Sequence, residues 1–484
     1  MTRTGIRIGA LAAASALVFG ACGGSSATAS PSPSPVTTPS AAPSSSPAPG
    51  GGVSLRWFVG QQAGSSDAQL AAEKAFVTSY NTFNKDGTTI TLEVVPTDSA
   101  SAVLKSEIAA GNAPDIVGPL GVGDFAGFDN VYLDLKPYVS NYKVDLAAYG
   151  KGLVSYLDFG SQGRLGLPYL LFPGYLWYNK DIFTKAGLPD LPTKVGEPYQ
   201  GKTWDWAALA TLAEKLTVDK TGRPSTDAKF DAKSIVRYGL DFQWTDLRRL
   251  ASCFGGGSFV NSDGRTAQVP AAWADGLTWY YAGIWGANPF IPNALAASSD
   301  LLDQGNSQAS GNVAMNVAWT TSIPSIATDA KTPSVKTWNI AVIPSWKGTT
   351  SSPMYMDTFS ITKASKNPDA AFKAMLAIMA DNGLLKAYGG QPARTADQQT
   401  YFDAFDQVLS PVFPQNQVSW SVLTEMEKYP ATPSFEAALP NDTRSTADIA
   451  ALLTKLQGTN GLDVVAELTK LQATLQTDYG AVSQ

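Results

Sequence analysis

Gly166-Leu-Pro-Tyr-Leu-Leu-Phe-Pro-Gly-Tyr-Leu-Trp-Tyr-Asn-Lys-Asp-Ile-Phe-Thr-Lys-Ala-Gly-Leu188 is an apolar and aromatic run that closes on Tyr178-Asn179-Lys180 and then on Lys185-Ala186-Gly187-Leu188. Downstream of it, Thr203 reads as a helix cap, because Trp206, Leu209, Leu212 and Leu216 follow at helical spacing. Upstream, Val53, Leu55, Trp57 and Val59 alternate at period two and predict a strand. A helix over 68–82, a strand through Ile90, Leu92 and Val94, a helix over 100–110 and a strand starting at Pro114-Asp115-Ile116-Val117 follow. This β-α-β-α-β order implies a parallel sheet with crossover helices, hence an α/β protein. Further on, Asn367 is placed to cap a helix with Pro368 in its first position and Asp369 in its first turn. Residues 449–457 and 462–479 predict two closing amphipathic helices.

The chain has 484 residues, 44% hydrophobic and 16% charged, which leaves room for two or three domains with large cores. A net charge of −6 argues against nucleic acid, whose phosphates require a basic surface. Histidine is absent from the sequence. Ser-His-Asp and Cys-His triads, histidine bases and histidine metal ligands are removed together. Cys253 alone cannot build a zinc or iron–sulfur site and reads as a buried apolar thiol. No cofactor and no metal are expected. Most of the 12 Trp, 18 Tyr and 20 Phe belong in cores. Such rings also suit sugars, whose flat apolar faces sit on aromatic planes.

Arg3 and Arg7 precede the apolar run Ile8–Phe19, which is too short to span a bilayer. Gly20-Ala21-Cys22 resembles a lipoprotein processing site, with Cys22 as the lipidated first residue, although Phe19 stands where that pattern prefers a smaller aliphatic. Ordinary signal cleavage near Ala21 is the alternative. Residues 23–55 are uncharged and rich in Ser, Pro, Ala, Thr and Gly, so they cannot bury enough apolar surface to offset their ordering entropy. They read as a tether that holds the body near the outer face of the cytoplasmic membrane, attached only through lipid.

Several landmarks recur in a recognisable order: Ala109-Ala-Gly-Asn-Ala-Pro-Asp-Ile116, Tyr178-Asn179-Lys180, Gly255-Gly-Gly-Ser258, Gly311-Asn-Val-Ala-Met-Asn-Val-Ala-Trp319, Asp357-Thr-Phe-Ser-Ile-Thr362, Ser365-Lys-Asn-Pro368 and Gly389-Gly-Gln-Pro-Ala-Arg394. Together they resemble the extracellular solute-binding proteins of ABC importers, in the sugar-binding branch that includes maltose-binding protein. The resemblance implies no catalysis. It implies two α/β lobes around a ligand cleft, a hinge closure, a carbohydrate ligand, permease and ATPase partners, and a monomer. The implied organisation is a signal peptide over 1–21 and a lipidated Cys22 with its tether over 22–52. Lobe 1 covers 53–168 and lobe 2 covers 169–355; the chain returns to lobe 1 over 356–410 and to lobe 2 over 411–484. Crossings are expected near Tyr169–Gly174, near Tyr355–Asp357 and after about residue 410.

The resemblance also nominates ligand contacts. Trp319 follows an apolar strand, where the family has a sugar-stacking Trp; a plug in the second lobe's core is the other reading. Gln243, Trp244 and Asp246 stand before the Gly255 loop. Tyr169 and Phe172 sit on the first crossing, Tyr355 and Asp357 on the second. Gln61 and Gln62 follow strand one, and Leu120 and Asp124 follow strand three. Arg394 either reaches the cleft or braces its turn. Tyr178, Asn179 and Lys180 read as structural; Trp420 and Phe435 lie where spacing departs from the family and stay unplaced. Mixed aromatic and polar candidates with few cations favour a neutral sugar, since an anion would want an Arg or Lys cluster. Rival readings are a non-sugar solute such as a polyol or phosphodiester, iron(III) held by Tyr280-Tyr281, a glycosidase using Asp246 and Asp357, and a lipoprotein that feeds a sensor kinase.

Overall fold

Leu55, Trp57 and Val59 alternate with Phe58 along the strand Ser54–Val59 (β1), and the two sets bury on opposite faces of one sheet. A computed structural model describes residues 52–61, 63–64, 66–150, 152–243, 245–323 and 334–481. The signal peptide, Cys22, nearly all of the tether, Gln62 and Trp244 lie outside the described residues. The expected β-α-β-α-β order is present: β1, helix Asp67–Phe83 (α1), Thr89–Val94 (β2), helix Thr97–Ala109 (α2) and Ile116–Gly121 (β3). β1 pairs in parallel with both β2 and β3. Ser66 starts α1 through a reciprocal capping box with Gln69.

The long strand Leu167–Asn179 (β4) joins the lobes. Its first half, from Leu167 to Pro173, lies antiparallel to Met354–Ile361 (β9), which in turn pairs with β3. Its second half, from Gly174, lies antiparallel to Val313–Trp319 (β7) and to Trp338–Ala341 (β8). β7 pairs in parallel with Ile235–Phe242 (β6), whose far edge carries the short Val218–Asp219 (β5). Residues 169–173, assigned to lobe 2 by the sequence boundaries, therefore pair within the first sheet. The short strand Gln391–Pro392 (β10) also pairs with the first half of β4. Helix Gln398–Leu409 (α8 below) already packs Phe402 and Leu409 into the second lobe's core. The third crossing thus falls before Phe402, earlier than residue 410, because the amphipathic face of this helix matches the second core.

Further helices are Trp206–Leu216 (α3), Leu247–Ser252 (α4), Ala271–Trp285 (α5), Pro368–Met379 (α6), Asn382–Tyr388 (α7), Gln398–Leu409 (α8), Asp442–Gly458 (α9) and Val464–Ala481 (α10). The cap of α3 is Asp205 rather than Thr203: its Oδ1 accepts the Ala208 N–H at 2.8 Å. Trp204 is drawn inward before the helix begins, its indole donating to Val342 O at 3.0 Å. Tyr178-Asn179-Lys180 is structural in each member. Tyr178 is buried, Asn179 caps the next helix through Ile182 N at 3.2 Å, and Lys180 pairs with Asp190 at 2.9 Å. β6 approaches α3 so closely that a Cβ at Gly239 would lie 2.0 Å from Ala213 O. Gly239→Ala is expected to lower the urea midpoint by the equivalent of ~1–3 kcal/mol, with the slope unchanged. A midpoint equal to wild type would show that the strand and helix separate freely.

Candidate functional site

The ends of β3, β7 and β9 bring residues of both lobes together. Gly121 at the end of β3 lies opposite Asp357 of β9. The Gly121 N–H donates to Asp124 Oδ2 at 2.7 Å, so the two aspartates share one strand end. The segment before α9 reaches the same place from the other lobe. A Cβ at Gly123 would lie 3.2 Å from Glu436 O, and the Tyr156 hydroxyl donates to Ala431 O. From the second lobe, Asp246 caps α4 by accepting Arg249 N–H at 2.9 Å. One turn on, the Arg249 guanidinium lies over three rings, 4.6 Å from the centre of Trp319, 4.2 Å from Tyr355 and 5.4 Å from Phe435. Tyr355 and Phe435 meet edge to face at 4.8 Å. Trp319 itself pairs with Gly174, where β4 passes from one sheet to the other.

Carboxyl groups are the most numerous ionisable groups in this region. Burial, and then the Asp124 charge, push Asp357 up to about 7. Burial, with Asp357 and Asp124 adding, pushes Glu436 well above the usual carboxylate range. Burial lowers the Arg249 guanidinium, and Asp246 and Glu436 oppose that shift. Asp246 Oδ2 stands 3.4 Å from Arg249 Nε. Three rings, four carboxyl groups and one guanidinium can offer a stacking surface and several hydrogen-bond acceptors. They suit a phosphate or carboxylate poorly.

Of the nominated contacts, Trp319, Tyr355, Asp357, Asp124 and Asp246 converge here. Others do not. Tyr169 is packed edge-on against Phe359 at 5.0 Å, and Leu120 is wholly buried in the first lobe. Gln243 is tied into the second lobe, its Oε1 accepting Ser307 Oγ–H at 2.8 Å and Asn316 Nδ2–H at 3.1 Å. Phe172 is half-buried against the first core. Gln61 is buried after β1, and its Nε2 meets no partner among the described residues. Arg394 braces its turn, 3.7 Å from Asp397, with its backbone bridged to Tyr149. Sequence reading missed the roles of Arg249, Phe435 and Glu436. The Arg248-Arg249 pair after the Asp246 cap was the available signal. Nothing local marked Glu436. Trp420 is structural, stacked on Phe402 at 6.0 Å and bonded to Asp406 at 2.8 Å.

The rival sites fare differently. The Tyr280 hydroxyl receives Gln457 Nε2–H at 2.9 Å, and the Tyr281 hydroxyl donates to Thr459 O at 2.9 Å. Both phenols thus fasten α5 to α9 and the turn after it. Among the described residues no group of three or more His, Cys, Asp or Glu could hold a metal ion. No described helix is long and apolar enough to cross a membrane.

Two α/β lobes joined by crossing strands are the architecture of two-lobe binding proteins. Residues 60–378 match the family of bacterial extracellular solute-binding proteins, and the chain belongs to that family. The family is one of binding proteins, not enzymes. Among solved structures, the chain is similar to UspC of M. tuberculosis, at 19% identity and TM-score 0.68, covering 88% of this chain and 100% of that one. It is also similar to a sugar transporter protein of Rhizobium etli in an open conformation, at 18% identity and TM-score 0.65, covering 88% and 99%. The sugar-binding protein MalE of Xanthomonas citri matches at 17% identity and TM-score 0.64, covering 89% and 98%. These likenesses concern the fold. No curated protein matches the sequence significantly.

Proposed function

We propose that this protein captures a neutral carbohydrate between its lobes and delivers it to the permease of an ABC importer, as a monomer anchored outside the cytoplasmic membrane through lipidated Cys22. The observation that carries the reading is the meeting of Trp319, Tyr355 and Phe435 with Asp124, Asp357 and Glu436 at the lobe junction. Sugars need both halves of that set: rings for their apolar faces and acceptors for their hydroxyls. Acceptors drawn from both lobes bind best when the lobes close, which is how a ligand drives a hinge. Two similar structures support the class of solute: one is the sugar-binding protein MalE, and another, the maltose/maltodextrin-binding domain MalE from Bdellovibrio bacteriovorus, is bound to maltotriose.

The test is a thermal-shift screen of the full chain against mono-, di- and oligosaccharides, with polyols and ferric citrate as controls. A specific solute at ~100 times its dissociation constant should stabilise the protein by ~2.7 kcal/mol. A response to one sugar class names the solute. Silence toward every sugar, in protein freed of bound ligand, would sink the carbohydrate reading. Metabolic labelling with a tritiated fatty acid tests the lipid attachment separately: label is expected in the wild-type protein and not in Cys22→Ala, and a wild-type protein that takes up no label would contradict it.

A further inference from the structure

Trp319 is the ring best placed to stack on a solute, yet it is 3% exposed and presents no open face. What lies over it is the chain's own Arg249, whose guanidinium also covers Tyr355 and Phe435. The three rings come from three separate segments, and Arg249 is in contact with all of them. A planar guanidinium and the flat face of a sugar ring use an aromatic surface in the same way, so they cannot share it. The Trp319 indole N–H is in the same state as those of Trp177, Trp206, Trp338 and Trp346. It is buried and meets no acceptor among the described residues, and such a donor is costly to leave unmet.

We propose that Arg249 is the resident occupant of the aromatic platform in the solute-free protein, and that a solute gains the platform by displacing its guanidinium. Arg249 then sets affinity and specificity. A solute must offer a face that stacks at least as well and an acceptor for the Trp319 N–H. Arg249 sits in the first turn of a short helix, and its neighbour Arg248 is held differently, donating to Ala437 O from the second lobe's interior. Asp246, whose side chain is 48% exposed, stands 3.4 Å from Arg249 Nε and can keep the guanidinium company as it swings toward water. Leaving the rings costs Arg249 a contact but returns its hydration, which burial had removed.

This proposal deepens the carbohydrate reading and rests on it only for the binding measurement. Two readouts are made on Arg249→Ala in the full chain. The first is acrylamide quenching of Trp319 without solute, isolated as the difference from a matching Trp319→Phe protein; Arg249→Ala should make Trp319 newly accessible. The second is the dissociation constant for the sugar identified by screening, measured by calorimetry. Arg249→Ala should bind about tenfold more tightly, the worth of a desolvated cation–π contact. Binding tenfold weaker would make Arg249 a solute contact and overturn the proposal, and so would unchanged affinity or an unquenched Trp319. If neither protein binds any sugar but Trp319 opens, the carbohydrate reading falls and the resident role of Arg249 stands. Should Arg249→Ala fail to fold, Arg249→Lys keeps the charge and loses the planar stack; the same signs are expected, at two- to threefold.

Discussion

Raising the pH from 5 to 8 should lower the thermal midpoint of the solute-free protein by several degrees. Glu73 is wholly buried between α1 and α7, with Oε1 accepting the Tyr388 hydroxyl at 2.7 Å, and burial pushes it up to about 7. Glu427 is 2% exposed; its Oε2 accepts Gln391 Nε2–H at 2.9 Å and Gln398 Nε2–H at 2.7 Å, and burial again pushes it up to about 7. Asp357 joins them at about 7, for burial and for the Asp124 charge. In the unfolded chain these carboxyls lose their protons near ~4. Between that pH and 7 the folded state keeps protons that the unfolded state has released. Folded protein binds more protons, so stability falls as pH rises through this window and levels off above it. Each of the two buried glutamates accounts for at most about 3 kcal/mol.

Asp219, held at about 2 by the Thr221 hydroxyl and by backbone N–H groups, acts with the opposite sign, but only in acid below ~4. Scanning calorimetry at pH 5, 6, 7 and 8 checks the slope. Glu73→Gln with Glu427→Gln should flatten it, because the amide imitates the protonated acid and still accepts the same hydrogen bonds. A midpoint that rises from pH 5 to 8 would mean that these carboxylates are ionised in the fold. The Glu427 contribution has a functional side. Gln391 lies on β10 in the first lobe and Gln398 opens α8 in the second, so this one carboxyl ties the third crossing together.

The parts of the fold written in short-range chemistry were legible. β1 alternates at period two, the helix expected over 68–82 forms as Asp67–Phe83, and the helix after Asn367-Pro368 runs as Pro368–Met379 with Ala371, Phe372, Met375 and Met379 buried. β4 was harder. It is buried on both faces almost throughout, so alternation cannot say which side chain faces the lobe junction. That is why Tyr169 was nominated for the ligand and lies in the core. Leu120 was placed after strand three, but the strand runs on to Gly121 and buries it. The site's least legible members, Phe435 and Glu436, meet residues more than a hundred positions away, Gly123 and Arg249 among them. No local period encodes such contacts. Asp246 was legible as a polar residue before the Gly255 loop, but the helix that it caps and the arginine that it anchors are visible only in the fold.

Replacing Trp319 with alanine should cut solute affinity about a hundredfold, equivalent to ~3 kcal/mol, and should also destabilise the protein by ~3–5 kcal/mol. Both losses follow from one position. Trp319 ends β7 with its ring inside the second lobe's core and under Arg249. Truncation therefore opens a cavity and removes the largest stacking face together. Without the indole, Arg249 keeps Tyr355 and Phe435, the resident cation stays in place, and the solute finds a smaller platform still occupied. Trp319→Phe separates the two effects. Phenylalanine fills most of the volume and keeps a ring, but it lacks the N–H that has no acceptor among the described residues. Its binding loss should be several-fold and its stability loss the smaller of the two. Affinity is measured by calorimetry well below each variant's own melting temperature, with circular dichroism to establish the folded fraction. If folded Trp319→Ala binds as tightly as wild type, Trp319 is a core residue alone. The stacking surface would then have to be Tyr355 and Phe435, which Arg249 covers just as closely.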